Sequence, residues 1–373
     1  MSEVNHYETI RQKLKLGALY APKHRKVEEL MKTLWTEEEA KVLAHFNACD
    51  QPTGLKELSE RTGKSRKDLK AILRTPLYKR TISRVGTKYY LLPLLPGIFE
   101  QYFIMRRDSK ENMQKVAEIY RFLFKEFLPG FYSSNDFTLF RPRLPTDAEE
   151  KLIQVDQDFD VQQKILPYES ILEVLEDNEY FMVVPCQCRL IGEMTGEPCE
   201  VAPADLGCFV TGVMAEQAIK SGYPSMTKEE AIEFFKKTEK AGLIHNCVAD
   251  SSKESTFFIC NCCTCHCGGF IAAKEHKVHA GMRSNFIPQF NNDLCTKCEI
   301  CLKKCPMGAI YHRWPDEEDK SDEEMYLKEE YCIGCGVCAS NCPNDAINLI
   351  KVRDEEYKEK HKIGTRTFSE LLM

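Results

Sequence analysis

Several common signatures of function are missing from this sequence of 373 residues. No Gly-x-Gly-x-x-Gly follows a strand pattern and no P-loop occurs, which excludes the usual dinucleotide and nucleoside-triphosphate cradles. No apolar run approaches the length of a membrane span. The opening residues, MSEVNHYETIRQKLKLGAL, are charged and lack the apolar core of a secretory leader. A net charge of −6 is mild and implies no bulk attraction to nucleic acid. No set of serine, histidine and carboxylate can be assembled from spacing alone. These absences leave a cytoplasmic chain with reduced thiols as the expectation. The length allows two or three domains, and an apolar content of 43% supplies real cores.

Cysteine, by contrast, is abundant, with nineteen in the chain. Residues 295–306 read CTKCEICLKKCP and residues 332–343 read CIGCGVCASNCP. Both are C-x2-C-x2-C-x3-C-P, the spacing of bacterial ferredoxin modules that carry two 4Fe–4S clusters. A zinc ribbon or a disulfide framework would not repeat that spacing twice. Three cysteines on one tight loop cap three iron corners of a cubane, and the fourth must come from the other motif. Cys295, Cys298, Cys301 and Cys342 are therefore expected at one cluster, and Cys332, Cys335, Cys338 and Cys305 at the other. Gly334 and Gly336 would let backbone N–H groups approach the second cluster. Thr296, Lys297 and Glu299 line the first loop, whereas Ile333 and Val337 line the second, so the second cluster should be the drier. The acidic run PDEEDKSDEE (315–324) reads as a solvated insertion, with a docking surface for a basic redox partner as the alternative.

Of the other eleven cysteines, Cys49 stands alone and reads as a small buried hydrophobe. The remaining ten fall between residues 186 and 267. FMVVPCQCRL (181–190) is a strand running into Cys186 and Cys188, followed by Cys199 and Cys208. LGCFVTGVMAEQAIKSG (206–222) reads as a helix. TKEEAIEFFKKTEKAG (227–242) reads as a second helix, with Thr227 and Glu230 as a capping box. The strands LIHNCVA and STFFIC lead to CNCCTCHCGG (260–269). Thiolates this dense repel one another unless cations hold them. The candidate ligands are Cys186, Cys188, Cys199 and Cys208 from one side, and Cys260, Cys262, Cys263, Cys265 and Cys267 from the other, with sets mixed from both. His266 is open between ligand and solvent-facing imidazole. His245 and Cys247 read as supporting or core residues. A further 4Fe–4S cluster is favoured here over a structural zinc.

Residues 28–102 carry the order of a winged helix: helix, turn, helix, then a β-wing turning at Gly86. Thr36 with Glu39, and Ser65 with Asp68, sit as helix-start pairs. Between Lys56 and Lys88 there are eleven Lys/Arg and three acids, a local charge of +8. This is an electrostatic footprint for nucleic acid, but the same face would serve to dock an acidic protein, and the scaffold reading is favoured. Helices continue past Gly97, and RPRLPTDAEE (141–150) reads as a proline-rich linker.

The expected class is thus α+β multidomain. It comprises a winged-helix-like domain (1–108), a helical bridge and linker (109–150) and a cysteine-rich α/β domain (151–285). A ferredoxin-like domain for two 4Fe–4S clusters (286–352) and a tail (353–373) complete it. With LPLLPGIFE (92–100), LPYE (166–169), VVPCQCR, GLIH and ICNCCTCHCG in this order before the paired motifs, the chain resembles a family of multidomain 4Fe–4S dicluster proteins of anaerobic bacteria and archaea. The resemblance implies an electron carrier or a subunit of a cytoplasmic redox assembly. The family often carries a cysteine where this chain has His266, a departure that leaves the ligand role there open.

Single-electron transfer is therefore the leading expectation, with a redox protein or larger oxidoreductase as partner. Two alternatives are a redox-responsive winged-helix DNA regulator and an oxidoreductase with its own catalytic iron–sulfur site in the middle domain.

Overall fold

The computed structural model describes residues 5–16, 19–134, 140–152, 165, 169–248, 258–276, 283–313 and 323–353. All nineteen cysteines are among them and none is in a disulfide. Most of the acidic run 315–324 and the tail after Arg353 lie outside the described residues. The chain mixes helix and sheet and divides into two compact units. Of the described residues, one takes those up to Phe124 together with Leu190–Pro198, and the other takes those of Lys125–Arg189 together with those from Cys199 to Arg353.

In the first unit, helices His6–Lys13, Arg25–Leu34 and Glu37–Leu43 precede a short strand, Thr53–Gly54. Helices Leu55–Thr62, Arg66–Ile72 and Arg74–Tyr78 follow, then strands Ile82–Val85 and Lys88–Leu91. The three strands form an antiparallel sheet with Lys88–Leu91 in the middle. Local chemistry sets the helix ends. Thr36 Oγ1 accepts from Glu39 N at 3.3 Å while Thr36 N donates to Glu39 Oε2 at 2.8 Å, a complete capping box. Gly63 ends its helix at φ +67°. The core gathers Leu30, Leu34, Trp35, Phe46 and Leu69, and Trp35 Nε1 donates to Thr81 Oγ1 at 2.8 Å. Cys49 is buried here, which pushes its thiol up to about 12, so it is an inert core residue. The helices Phe99–Met105 and Lys110–Glu126 add a second aromatic layer around Phe99, Phe103 and Tyr120.

The second unit is built on a five-stranded antiparallel sheet. Its order is Phe140–Pro142, Ile244–Val248, Phe258–Cys262, Cys208–Thr211, Phe181–Val184. The helix expected over 206–222 is corrected here: Cys208–Thr211 is a central strand, and only Gly212–Lys220 is helical. Its four residues are buried on both faces, a pattern that periodicity cannot separate from a helix segment. Phe209, Phe234, Phe235 and Ile259 pack beneath the sheet, with helix Lys228–Ala241 supplying the two central phenylalanines.

The same unit holds two two-stranded ribbons, Phe286–Phe290 with Ile347–Lys351 and Ile310–Arg313 with Glu324–Leu327. Residues 141–150, expected as a linker, are instead built in. Leu144 is fully buried with Phe286, Ile310 and Leu349, and Thr146 N donates to Glu239 Oε1 at 2.8 Å. Glu169 forms a buried ion pair with Lys351 at 3.2 Å, and Asn285 Nδ2 donates to it.

Candidate metal centres

The two C-terminal motifs share their positive-φ positions. Lys297 and Glu299 in the first, and Gly334 and Gly336 in the second, occupy equivalent positions and all have φ between 57° and 74°. Asp345 and Gly308 are a third equivalent pair at positive φ. Such a loop turns its N–H groups inward, and three of them reach sulfur. Gly334 N donates to Cys332 Sγ at 3.3 Å, Ala309 N to Cys305 Sγ at 3.2 Å and Ala346 N to Cys342 Sγ at 3.3 Å. The last two are again equivalent, each N–H lying four residues past the cysteine whose sulfur accepts from it.

Cys295, Cys298, Cys301 and Cys342 line one cavity, with Phe290, Met325 and Ile347. Cys305 comes within electrostatic reach of Cys332, Cys335 and Cys338. Burial raises Cys301 and Cys332 to about 11, so in the metal-free chain these are thiols that must lose protons to bind a cation. The surroundings differ as the loops differ. Cys298 is exposed, whereas Ile333, Val337, Cys332 and Cys338 are buried. Two groups of four free thiols at this motif spacing, with N–H groups aimed at sulfur, fit iron–sulfur clusters.

The ten remaining cysteines separate in space, and strand alternation explains how. Along Phe258–Cys262, Cys260 and Cys262 share one face, since side chains alternate with period two. The register Ile259↔Phe209, taken one step further, sets Cys260 opposite Cys208, with their sulfurs 4.0 Å apart. Cys262 meets Cys267 at 3.4 Å, where the chain re-enters a helix at Gly268. Cys267 bonds Cys188, Cys188 bonds Cys186, and Cys186 bonds Cys208. Six thiols thus close a ring. The hydrogen bonds from Cys188 and Cys208 hold Cys186 well below the ordinary thiol range. The hydrogen bond to Cys186 and burial push Cys188 and Cys208 well above it.

The turn between Cys262 and Cys267 faces a second place. Cys263, Cys265 and His266 join Cys199, with ligand atoms all within 4.8 Å of one another. Cys199 Sγ lies 3.5 Å from Cys265 Sγ, and His266 Nδ1 lies 3.1 Å from Cys265 Sγ. His266 is buried among these thiols, which settles its orientation away from solvent.

Two residues that sequence reasoning passed over, Arg189 and Asn261, support this region, and His245 and Cys247 take the supporting and core places expected of them. Arg189 is fully buried; its Nη1 donates to Asn261 O at 3.1 Å and its Nη2 to Leu206 O. Desolvation works against its charge, yet Cys186, Cys263, Cys199 and Cys208 together raise its pKa. Asn261, between two ring cysteines but on the other face of the strand, bonds His245 Nδ1 at 2.7 Å and donates to Gly207 O at 2.8 Å. His245 Nε2 in turn meets Glu239 Oε1 at 3.1 Å. Cys247 accepts from Arg143 Nε at 3.1 Å and packs in the core, away from both groups. The adjacency of Arg189 to Cys188, and of Asn261 to Cys260 and Cys262, was the only signal for these roles in the sequence.

Among the described residues, no helix is long and apolar enough to cross a membrane. No curated protein matches the chain. Residues 294–346 match the family described as a 4Fe–4S dicluster domain. The C-terminal part of this protein is therefore a ferredoxin-type module that binds iron–sulfur clusters.

Proposed function

We propose that this protein is a cytoplasmic single-electron carrier that works as a subunit or docking partner of a larger oxidoreductase. Two 4Fe–4S clusters would be held by Cys295, Cys298, Cys301 and Cys342, and by Cys332, Cys335, Cys338 and Cys305. A further metal centre would lie in the cysteine-rich region. The observation that carries the reading is the pair of four-cysteine groups on equivalent loops, within the stretch that matches a dicluster domain. When bound, the clusters supply one-electron chemistry. The chain's own part is to hold the thiolates, to aim the N–H groups of Gly334, Ala309 and Ala346 at sulfur, and to keep water from the second loop. The helix, strand, helix, helix and hairpin order of the first unit supports a winged-helix module used for docking.

A second reading, a redox-responsive DNA regulator, has one observation in its favour. Lys56, Arg61, Arg66, Lys67, Lys70, Arg74, Arg80, Arg84 and Lys88 are all exposed. Tight duplex binding with a steep salt dependence would favour it over protein docking.

The test of the carrier reading is cluster-resolved EPR on dithionite-reduced protein. Cys298→Ser and Cys342→Ser should remove the same signal, and Cys332→Ser and Cys305→Ser the other. A Cys342→Ser spectrum matching that of Cys332→Ser overturns the ligand division. Absence of any reducible 4Fe–4S signal in the native protein overturns the function.

A further inference from the structure

The ten cysteines between residues 186 and 267 include nine that fall into two groups of unlike chemistry, and that difference identifies what each would bind. The inference rests on the reading above that this region carries metal. Cys199, Cys263, Cys265 and His266 offer four ligand atoms within 4.8 Å of one another. Three thiolates and an imidazole in so small a space match one tetrahedral ion, and the borderline-soft set favours zinc. The neighbours of this group are Ala202, Leu206, Ala241 and Leu243, with no C-terminal cysteine among them.

The ring is different in size and in surroundings. Cys186, Cys188, Cys208, Cys260, Cys262 and Cys267 are six thiols joined one to the next by sulfur contacts, Cys262 to Cys267 at 3.4 Å and Cys208 to Cys260 at 4.0 Å. A tetrahedral ion takes four thiolates, so six in mutual contact exceed what one such ion can use. Ring members Cys260, Cys262 and Cys267 share an apolar cluster with Ile333, Met307 and Cys335 of the ferredoxin-type module. Tyr132 is buried beside Cys188 and Cys267. Arg189, fully buried beside Cys186 and Cys208, keeps its Nε without a hydrogen-bond partner among the described residues, a donor for inorganic sulfur. An apolar wall shared with a cluster-binding loop suits a redox-active centre; a structural zinc pair would have no use for it.

We propose that the six-cysteine ring holds a polynuclear iron–sulfur centre next to the second motif, and that Cys199, Cys263, Cys265 and His266 hold a separate zinc ion. The first experiment needs no variant. Iron, acid-labile sulfide and zinc are counted on anaerobically purified full-length protein, and the zinc shell is read by X-ray absorption at the zinc edge. The expected result is about twelve iron with matching sulfide, eight of them in the dicluster module, and about one zinc bound by three sulfurs and one nitrogen. About eight iron with both dicluster EPR signals intact overturns this inference and leaves the carrier reading standing. Two or more zinc, or a zinc shell of sulfur alone, overturns it as well. Loss of the dicluster signals in the native protein instead overturns the carrier reading. Variants then separate the groups. Cys262→Ala should lower iron to about eight and keep zinc, while His266→Cys should convert the zinc shell to four sulfurs and keep all iron. Loss of iron from His266→Cys, in protein that retains zinc, would mean one shared centre and refute the division.

Discussion

Gly334 is where the second motif meets the rest of the fold most tightly, and Gly334→Ala gives the sharpest test of how that loop is built. The residue sits at φ +68°, and a Cβ there would lie 2.1 Å from Phe286 O and 2.2 Å from Ser284 Oγ. The contact atoms are not free to yield. Phe286 is in a paired strand, and Ser284 Oγ donates to Gly334 O at 2.6 Å while Ser284 N donates to Ile333 O at 2.9 Å. Gly308 provides the control: its φ is +59°, and nothing lies within 4 Å of its Cβ position. Both substitutions incur the left-handed cost of about 1–2 kcal/mol. Gly334→Ala adds overpacking of about 1–3 kcal/mol and the loss of a hydrogen bond worth roughly 1 kcal/mol. The two variants should thus differ by about 2–4 kcal/mol, or very roughly 4–16 °C in the midpoint of thermal bleaching of the cluster absorbance. Midpoints are compared at one scan rate, because cluster loss is irreversible. If the two variants bleach within 1–2 °C of each other, the packed-loop account is wrong.

Three further outcomes are expected. Glu169→Ala removes the carboxylate from the buried pair with Lys351 and should cost about 3–5 kcal/mol, whereas Glu169→Leu with Lys351→Met should recover most of it, measured by chemical denaturation followed by far-UV circular dichroism. Burial opposes ionisation of Glu239, but His245 and the bonds from Thr146 outweigh it and lower its pKa below the ordinary 4.5. Its carboxylate therefore stabilises the fold fully above about pH 4.5 and progressively less as pH falls through its lowered value. Glu239→Gln should bleach faster at neutral pH, and its excess bleaching rate over the native protein should shrink under acid; an excess that does not change with pH refutes the linkage. Thr36→Ala breaks the capping box in the first unit and should cost about 1 kcal/mol there, with iron content unchanged; a fall in iron would show that this unit bears on cluster retention.

The parts of the fold that were legible in the sequence are those whose causes are local. The ferredoxin-type loops announce themselves because cluster geometry imposes a fixed spacing on neighbouring residues. Capping pairs at Thr36 and Thr227 were readable for the same reason, as both partners lie within one turn. Residues 141–150 misled because their prolines mark turns, whereas their burial comes from Phe286, Gly336 and Glu239, far along the chain. Cys208–Thr211 misled because a strand buried on both faces has no alternation to display.

The division of the cysteines was illegible for a related reason, and it shows how one short segment can serve two groups of side chains. CNCCTCHC is uniform as a string, but it crosses from strand to turn to helix. While it is strand, period two sends Cys260 and Cys262 to the ring and Asn261 to the opposite face, where His245 receives it across the register. In the turn, Cys263, Cys265 and His266 point to the second group. At the helix start, Cys267 returns to the ring. The assignment of each sulfur therefore depends on where the strand ends, and the pairing of Asn261 with His245 and Gly207 O holds that end in place. A one-residue slip of this strand would exchange the faces and put Asn261 among the thiols. Asn261→Ala removes the hydrogen bonds that oppose the slip, so it should loosen both cysteine groups together even though Asn261 belongs to neither.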